Sequence, residues 1–493
     1  MERLSPKSES SQIKANGNKL NGTSRLLTLF LLISPLILLF IFFIYYLIFV
    51  GQLGQAFLSA LALFTALLLA YQITISLVRL FQIVLSLQNT RRNVISRRIN
   101  SRFALVDSPK TQPVSIILWA NNQGYGLSET VKSLLSLNYP DYEIIIINDG
   151  STDSTLEVLE TEFGLQPLNR IFRRALETSS ITATYTSPKY PIISVIEKPY
   201  TGRADSLNIG INLAKAPLVC IIEPNHLLTR DALLLLAKPF IEQPINTIMT
   251  AGLGEAKINL EEIALTESLT VVEKKHLFHS SFISRDAFCL ITASGNAIRL
   301  VKKAELIEVG GFSSTESSDL TISLKLQQLL LSKGRNYRLA YIPEILCWEN
   351  DLIETPSVAN LHSKWQADTL FATVSNIKLL SQKPNSSQFW AYLLLLIENF
   401  SPILSLLGLI LAPVSYLIGA ISIELMLIYF IAFITFSFLE SLMGIIADEF
   451  SLRYQHTLAE VVNLILASLI ESLFYQPVAN FWRILGTFRL IRS

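Results

Sequence analysis

Charged side chains are scarce in this sequence. Only 16% of its 493 residues are Asp, Glu, Lys or Arg, whereas a soluble domain averages roughly 25%. Hydrophobic residues account for 51%, and we therefore expect part of the chain to lie in lipid. The formal net charge is only +1. Such a balance gives no electrostatic case for a nucleic-acid partner.

Cysteine is also scarce. The three cysteines, Cys220, Cys289 and Cys347, lie far apart in apolar surroundings, and none belongs to a CxxC pair. This spacing favours packed thiols over a metal site or a disulfide framework.

Two long apolar runs follow a polar N-terminal segment. Residues 1–24 are rich in Ser, Asn and Lys and are predicted to form a flexible tail. The runs Leu26–Val50 and Ala56–Val78 are each long enough for a membrane helix, which needs about 20 apolar residues. We therefore predict two transmembrane helices within residues 25–79. Several arginines follow the second run and, by the positive-inside rule, predict that the end of the second helix lies in the cytoplasm. Because two helices return the chain to its starting side, the N-terminal tail is predicted to be cytoplasmic as well.

Apolar composition returns over residues 386–493, where we predict about three transmembrane or interfacial helices. Spans are expected at 400–421 and 423–446, and a further apolar run covers 459–475. The C-terminal tail is basic, and five full spans would place it outside the cell against the charge rule. Either the last run is re-entrant or interfacial, or residues 388–412 themselves form a span.

Residues 103–385 have a different pattern, in which short apolar runs alternate with helical segments. The predicted strands are Val114–Trp119, Ile144–Ile147, Ile192–Ile196 and Leu218–Ile222. Helices are predicted at Leu127–Leu137 and Ala204–Ala214. This alternation indicates βαβ units and a mostly parallel sheet in a cytoplasmic domain.

Polar residues follow the predicted strands. The run EIIIINDGSTD, residues 143–153, is typical of a buried strand that ends in a turn and a capped helix. In an open α/β sheet, ligands bind in the crevice at the carboxyl ends of such strands. An ordinary strand–helix loop is the alternative. Further polar segments follow other strands: Asn121–Gln123, Lys198–Asn208 and Glu223–His226.

These segments resemble the membrane-integrated processive glycosyltransferases of family 2, which include cellulose, hyaluronan and poly-N-acetylglucosamine synthases. The similarity runs from about Pro113 to Leu370 and is carried by PVSIILWANN, YPDYEIIIINDGSTDSTLEVLE, GRADSLNIGINLA, VGGF and PEILCWE. It implies an α/β GT-A-type nucleotide-sugar transferase domain plus an α-helical transmembrane region. It also implies a multi-pass protein of a cell membrane, the inner membrane in a bacterium, with a cytoplasmic catalytic domain.

The resemblance implies a role for each matching residue. Asn122 and Asp149 would contact the uracil and ribose of a UDP-sugar, and Arg203 its diphosphate. Asp319 would be the general base that deprotonates the acceptor hydroxyl. The remaining implied residues are Asp205 and Asn208 beside the donor, Lys364 and Trp365 at the acceptor, and Glu223 and Asn225 at Mg²⁺ or Mn²⁺.

Several positions depart from the family pattern. Glu223-Pro224-Asn225 replaces the Asp-x-Asp metal motif, and Asn225 lacks the negative charge that hard cations prefer. His226 is either an additional ligand or a surface residue. Ser318 precedes the proposed base where the family has an acid, Leu361–Trp365 replaces Gln-x-x-Arg-Trp, and Trp119 and Asn121 stand where Pro and Tyr are usual.

Because of these departures, the sequence is compatible with two main functions. The first is inverting transfer of a hexose or N-acetylhexosamine from a UDP-sugar to a glycan. The second is a catalytically degenerate membrane subunit that binds nucleotide or a partner synthase. A single transfer to a lipid-linked acceptor is a third possibility. The implied partners are the UDP-sugar donor, a glycan or lipid-linked acceptor, membrane lipids and synthase subunits.

Overall fold

The computed structural model describes residues 22–50, 52–99, 110–168, 174–256, 268–269, 271–273, 275, 298–313, 319–349, 355–380, 386–452 and 457–492. Most of the predicted N-terminal tail and Cys289 lie outside these ranges. Cys220 and Cys347 are both buried, as packed thiols are. Burial raises the pKa of the Cys220 thiol, so this side chain stays a neutral packing group.

The described helices form three groups along the chain. Two long helices precede the α/β region: α1 Gly22–Val50 and α2 Leu53–Ile99. The helices of the α/β region are α3 Gly124–Leu135, α4 Thr155–Phe163, α5 Arg203–Leu213, α6 Ala232–Glu242, α7 Lys303–Glu308, α8 Asp319–Ser332 and α9 Thr355–Ser375. The C-terminal helices are α10 Ser386–Leu417, α11 Ile423–Leu452, α12 Leu458–Ile470 and α13 Gln476–Arg492, with a π-helical turn at Glu471–Tyr475 between the last two.

The described strands form one mixed sheet. They are β1 Val114–Ala120, β2 Tyr142–Asp149, β3 Gln166–Pro167, β4 Ala183–Thr186, β5 Ile193–Lys198, β6 Leu218–Ile222, β7 His226–Leu228, β8 Thr247–Ala256, β9 Ile298–Lys302 and β10 Arg338–Glu349. Their order is β3-β4-β5-β2-β1-β6-β9-β8-β10-β7. The central pairs β5/β2, β2/β1 and β1/β6 are parallel, and β9 is antiparallel to both of its neighbours. All four predicted strands are present.

Helices cover both faces of the sheet, which explains why its central strands are apolar at most positions. One core combines side chains of β1 and β2 with Leu127 of α3, Leu159 of α4 and Leu236 of α6. The other combines the opposite faces of these strands with Leu207 of α5 and Leu326 of α8. A strand that is buried on both faces needs an apolar residue at every position, and so shows no alternation.

Five helical segments are long and apolar enough to cross a membrane, by length and composition, within the part of the chain that the structure describes. They are Ser24–Phe49, Leu53–Gln88, Gln388–Leu417, Ile423–Glu449 and Glu460–Arg492. The first is exposed along most of its length, as expected of a helix that faces lipid.

A polar cluster links α2, α10 and α11. The guanidinium of Arg79 lies 3.4 Å from Glu440 and donates to the Ser401 hydroxyl at 3.0 Å. One turn along α2, Gln82 donates to Glu398 at 3.4 Å. Because Glu440 is buried, its partner Arg79 offsets a charge that would be costly at membrane depth. In contrast, Glu424 lies exposed at the start of α11 and marks a helix end.

The last segment, Glu460–Arg492, packs against residues of the α/β region at both of its ends. Leu464 of α12 shares a small core with Leu269 and Val272. Near the other end, the Arg483 guanidinium lies 5.2 Å from the centre of the Trp365 ring on α9. A β-carbon at Gly486 would collide with the backbone of Ser363, so only glycine allows α13 to approach α9 this closely.

Candidate functional site

The carboxyl ends of β1, β2, β5 and β6 meet at one edge of the sheet, because these strands are parallel. The loops that follow them carry most of the polar residues predicted from the sequence. They bring Asn122, Asp149, Arg203 and Glu223 to this edge, and we define the group of loops as the crevice edge.

Asp149, the last residue of β2, is held by four hydrogen-bond donors. Its Oδ1 accepts from the Lys198 ammonium and from the backbone N–H of Thr201 at 2.9 Å. Its Oδ2 accepts from the Trp119 indole at 3.1 Å and from the N–H of Gly202 at 2.9 Å. The side chain is 0% exposed. In this arrangement the carboxylate organises the loop after β5.

Lys198, which the sequence did not single out, is the central cation of this loop. It is the last residue of β5 and stands in direct register with Asp149 of β2. Its ammonium group is 0% exposed, donates to the Thr201 hydroxyl, and lies 3.2 Å from the Asp205 carboxylate. A lysine that ends a largely buried strand was the available signal, since such a charge needs a partner.

A glycine lets the loops after β2 and β5 touch. Gly150 has a φ of +60°, and a β-carbon there would lie 2.6 Å from the backbone nitrogen of Tyr200. Any other residue would therefore push the two loops apart.

Asn122 joins the loops after β1 and β2. Its Oδ1 accepts from the backbone N–H of Thr152 at 2.8 Å, and its own N–H donates to the Ser151 hydroxyl at 3.0 Å. Its φ is +54°, a conformation that Asn tolerates better than most residues. The neighbouring Asn121 donates from its side chain to the Asp149 carbonyl at 2.7 Å. These asparagines fix the edge of the crevice.

Arg203 and Glu223 form an ion pair across the crevice edge. The guanidinium Nε and Nη2 both donate to Glu223 Oε1, at 3.0 and 2.7 Å. The side chains are 20% and 32% exposed, respectively, so solvent and ligands reach both. The sequence assigned these residues to the diphosphate and to the metal, and the structure brings them directly together.

Asp205 and Asn208 face the protein from α5. Asp205 accepts from the backbone N–H and hydroxyl of Ser179, at 2.9 and 2.6 Å. Burial raises the pKa of this carboxyl, but the hydrogen bonds from Ser179 and Thr201 and the charge of Lys198 outweigh it and leave the pKa below its ordinary value. The group is ionised at neutral pH.

Asn208 connects α5 to the Gly-Gly-Phe turn. Its Nδ2 donates to the Phe312 carbonyl and its Oδ1 accepts from the Phe312 N–H, both at 2.8 Å. A β-carbon at Gly311 would collide with this amide. One turn later, the Asn212 Oδ1 accepts from the N–H of Leu176 at 2.9 Å. Both asparagines position loops, and the role of Asn212 was not predicted.

The donor set around Glu223-Pro224-Asn225 fits a divalent cation poorly. Mg²⁺ and Mn²⁺ prefer anionic oxygen ligands, yet the Glu223 oxygen already binds a guanidinium and Asn225 carries no charge. Among the described residues, no group of three or more His, Cys, Asp and Glu side chains could hold a metal. His226 is 2% exposed, and its prediction as a surface residue was wrong because β7 pairs with β10 and buries it.

The residues expected at the acceptor lie on α8 and α9. Asp319 is the first residue of α8, and its side chain lies outside the described part of the chain, as do Ser317 and Ser318. Lys364 of α9 is exposed, whereas Trp365 is half-buried beneath Arg483 of α13. The Trp365 ring face is therefore engaged by the C-terminal helix.

The mixed sheet, its covering helices and the crevice edge form an α/β domain, which agrees with the predicted fold class. Residues 115–253 match the family model for glycosyl transferase family 2. This part of the chain is therefore similar to glycosyltransferase family 2, the family that the motifs of the sequence had predicted.

Curated relatives agree with this family. The chain is 27% identical over 251 residues to a poly-beta-1,6-N-acetyl-D-glucosamine synthase of Staphylococcus epidermidis, which covers 50% of this chain and 53% of that protein. It is 22% identical over 244 residues to the synthase of the same name from Staphylococcus aureus strain COL, covering 49% and 51%. The chain thus spans about half the length of the curated relatives it matches.

A solved structure with a similar fold is the mannosyltransferase PcManGT from Pyrobaculum calidifontis in complex with GDP-Man and Mn²⁺. The similarity has a TM-score of 0.48 at 13% identity and covers 86% of this chain and 98% of that one.

Proposed function

We propose that this protein is an inverting glycosyltransferase that moves a sugar from a UDP-sugar to a glycan acceptor at a membrane. The family 2 match over residues 115–253 carries this proposal, since it includes the strands whose carboxyl ends hold Asp149, Arg203 and Glu223. The relatives are named as synthases of an N-acetylglucosamine polymer, which makes UDP-N-acetylglucosamine the first donor to test.

The proposed reaction divides the work between two groups of residues. The loops organised by Asp149, Asn122, Asp205 and Asn208 bind the nucleoside, and the Arg203 guanidinium pairs with the diphosphate. At the start of α8, Asp319 accepts the proton of the acceptor hydroxyl, whose oxygen displaces UDP from the sugar with inversion. Lys364 and Trp365 lie on the acceptor side. No step is assigned to Mg²⁺ or Mn²⁺, because Glu223 is engaged with Arg203.

The test is UDP release by the purified full chain in nanodiscs. With UDP-N-acetylglucosamine and a short β-linked N-acetylglucosamine oligomer, UDP should form together with a lengthened oligomer. The same assay with UDP-glucose tests whether the donor sugar is a hexose. With undecaprenyl phosphate as the acceptor, it tests the single transfer to a lipid-linked acceptor. If the protein bound UDP but turned over no combination of donor and acceptor, with or without divalent cations, that result would contradict the proposal that it is a glycosyltransferase.

A second candidate is a degenerate membrane subunit that binds nucleotide or a partner synthase. The observation that favours it is the neutralised pair at Glu223, where the family has a charged metal motif. Binding without turnover in the assay above is the result that this candidate predicts.

For the membrane region, we propose four spans, formed by α1, α2, α10 and α11. The pair α10–α11 begins and ends beside the α/β domain, since α10 is the next α-helix along the chain after α9 and Asp448 near the end of α11 pairs with Lys275. Both ends of the segment Glu460–Arg492 also pack on residues of the α/β region. These contacts support an interfacial segment that does not cross the bilayer, with both termini and the domain on the cytoplasmic side of a cell membrane.

Reporter fusions test this topology. A reporter after Ser493 should show a cytoplasmic signal, and a reporter inserted at Gly419, in the loop between α10 and α11, should show an external one. Because four crossings return the chain to its starting side, a reporter before α1 should match the one at Ser493. An external signal at Ser493 would mean that Glu460–Arg492 crosses the membrane.

A further inference from the structure

We propose that this protein binds the diphosphate of its nucleotide donor without a divalent cation. The Arg203 guanidinium supplies the positive charge at the diphosphate, and Glu223 is the positioning residue that holds the guanidinium in place. The inference rests on the proposed donor site and concerns how that site neutralises the donor's charge.

The geometry of the pair is the first support. Two guanidinium nitrogens contact a single carboxylate oxygen at 3.0 and 2.7 Å. Arg203 begins α5, and Glu223 directly follows β6. Both therefore stand at the carboxyl edge of the sheet, where α/β folds bind their ligands. Their partial exposure leaves the pair open to a ligand from the crevice.

The backbones on both sides of the pair are anchored. The Gly202 N–H, just before Arg203, donates to Asp149 at 2.9 Å. Beyond Glu223, the buried Pro224 accepts a hydrogen bond from the Thr130 hydroxyl through its carbonyl. The Arg203 side chain is thus held between two fixed points before any donor arrives. Such preorganisation lowers the entropy lost on binding.

The charge of the motif is the second support. A metal motif with two carboxylates offers a cation two negative charges, whereas Glu223 and Asn225 offer one, and Arg203 cancels it. A divalent cation at this place would meet the guanidinium as a like charge. A diphosphate meets it as an opposite charge and can accept its parallel N–H groups. The first turn of α5 adds a favourable dipole for an anion.

The experiment measures UDP binding to the full chain in nanodiscs by calorimetry, in EDTA and in millimolar Mg²⁺ or Mn²⁺. We expect the dissociation constants in the two conditions to agree within about threefold, a difference below 1 kcal/mol. Arg203→Ala should weaken binding by at least about tenfold in both conditions. Arg203→Lys, which keeps the charge and loses the planar fork, should recover part of the affinity.

Two further variants sharpen the result. Glu223→Gln removes the carboxylate that a metal would need, and binding should stay independent of Mg²⁺ and Mn²⁺. Arg338→Ala is the matched control, because Arg338 also pairs with a glutamate, Glu242 at 3.7 Å, but at the opposite edge of the sheet. It should leave UDP affinity unchanged. Melting temperatures within a few degrees of the wild type establish that the variants are folded.

The outcomes separate this inference from the proposed function. UDP binding that requires Mg²⁺ or Mn²⁺ and is lost in Glu223→Gln would overturn metal-free binding and leave the glycosyltransferase intact. No UDP binding in either condition would overturn both. Binding that is equal in EDTA and metal but insensitive to Arg203→Ala would overturn the role of Arg203.

Discussion

Replacing Asp319 with asparagine should lower the rate of UDP release by about a thousandfold, because a positioned general base contributes roughly 10²–10⁴ to a rate. The acceptor hydroxyl loses its proton as it attacks, and an asparagine cannot take that proton. UDP affinity should be unchanged, because Asn122, Arg203 and the loops around Asp149 remain. Turnover and UDP binding are therefore measured on the same preparation.

The substitution leaves the helix intact, since Asn and Asp both suit a helix start. Asp231→Asn provides the matched control. Asp231 precedes α6 and accepts from the Asn138 side chain at 3.3 Å. Because Asn138 lies before β2, this control is at the sheet edge opposite the crevice, and it should keep full activity. If Asp319→Asn retained more than about a tenth of the wild-type rate, Asp319 would not be the base.

Replacing Asp149 with asparagine should reduce the free energy of unfolding of the α/β domain by about 3 kcal/mol. Breaking a buried ion pair costs roughly 3–5 kcal/mol, because the remaining charge stays buried. The lower end of this energy range applies to Asp149→Asn, because Lys198 still has the Asp205 carboxylate as a second anion at 3.2 Å. Urea unfolding of the full chain in detergent, followed by tryptophan fluorescence, measures the change.

Lys198→Met should cost less than Asp149→Asn. Without the lysine, the Asp149 carboxylate still accepts from the Trp119 indole and from the backbone N–H groups of Thr201 and Gly202. The double variant should lose less than the sum of the two single losses, since neither charge is then left without the other.

A surface acid provides the comparison. Glu242→Gln removes one partner of an exposed pair with Arg338, and such pairs contribute only about 0–1 kcal/mol. A loss in Asp149→Asn no larger than that of Glu242→Gln, or a larger loss in Lys198→Met, would contradict the central role of the Asp149 carboxylate.

Variants of Asp149 and Lys198 test one part of the crevice edge, and variants of Arg203 and Glu223 test another. Asp149 and Lys198 are sealed inside the crevice edge and hold its loops, whereas Arg203 and Glu223 are open to a ligand. We therefore expect stability to depend mainly on the first pair and nucleotide affinity mainly on the second. The departure at Glu223-Pro224-Asn225 falls on the second pair, where it changes charge without removing a loop anchor.

The sequence by itself determined the sheet and its edge. The runs at 114–119, 144–147 and 218–222 are apolar at nearly every position because helices cover both faces of the sheet, and this property is visible locally. The glycines and polar residues after each run marked the loops. The family motifs then predicted similarity to glycosyltransferase family 2, and the match over residues 115–253 bears out that similarity.

Only the tertiary structure decided which partner each polar side chain takes. Asp149 meets Lys198, 49 residues away, through the register of β2 and β5, and Asn208 meets Phe312, 104 residues away. Arg203 meets Glu223 because α5 begins and β6 ends at the same edge. Hydrogen bonds and ion pairs depend on distances of a few ångströms that strand order and register set, and local composition carries no record of them. The packing of α13 on α9 is also long-range, and the proposed interfacial position of the last helical segment depends on it.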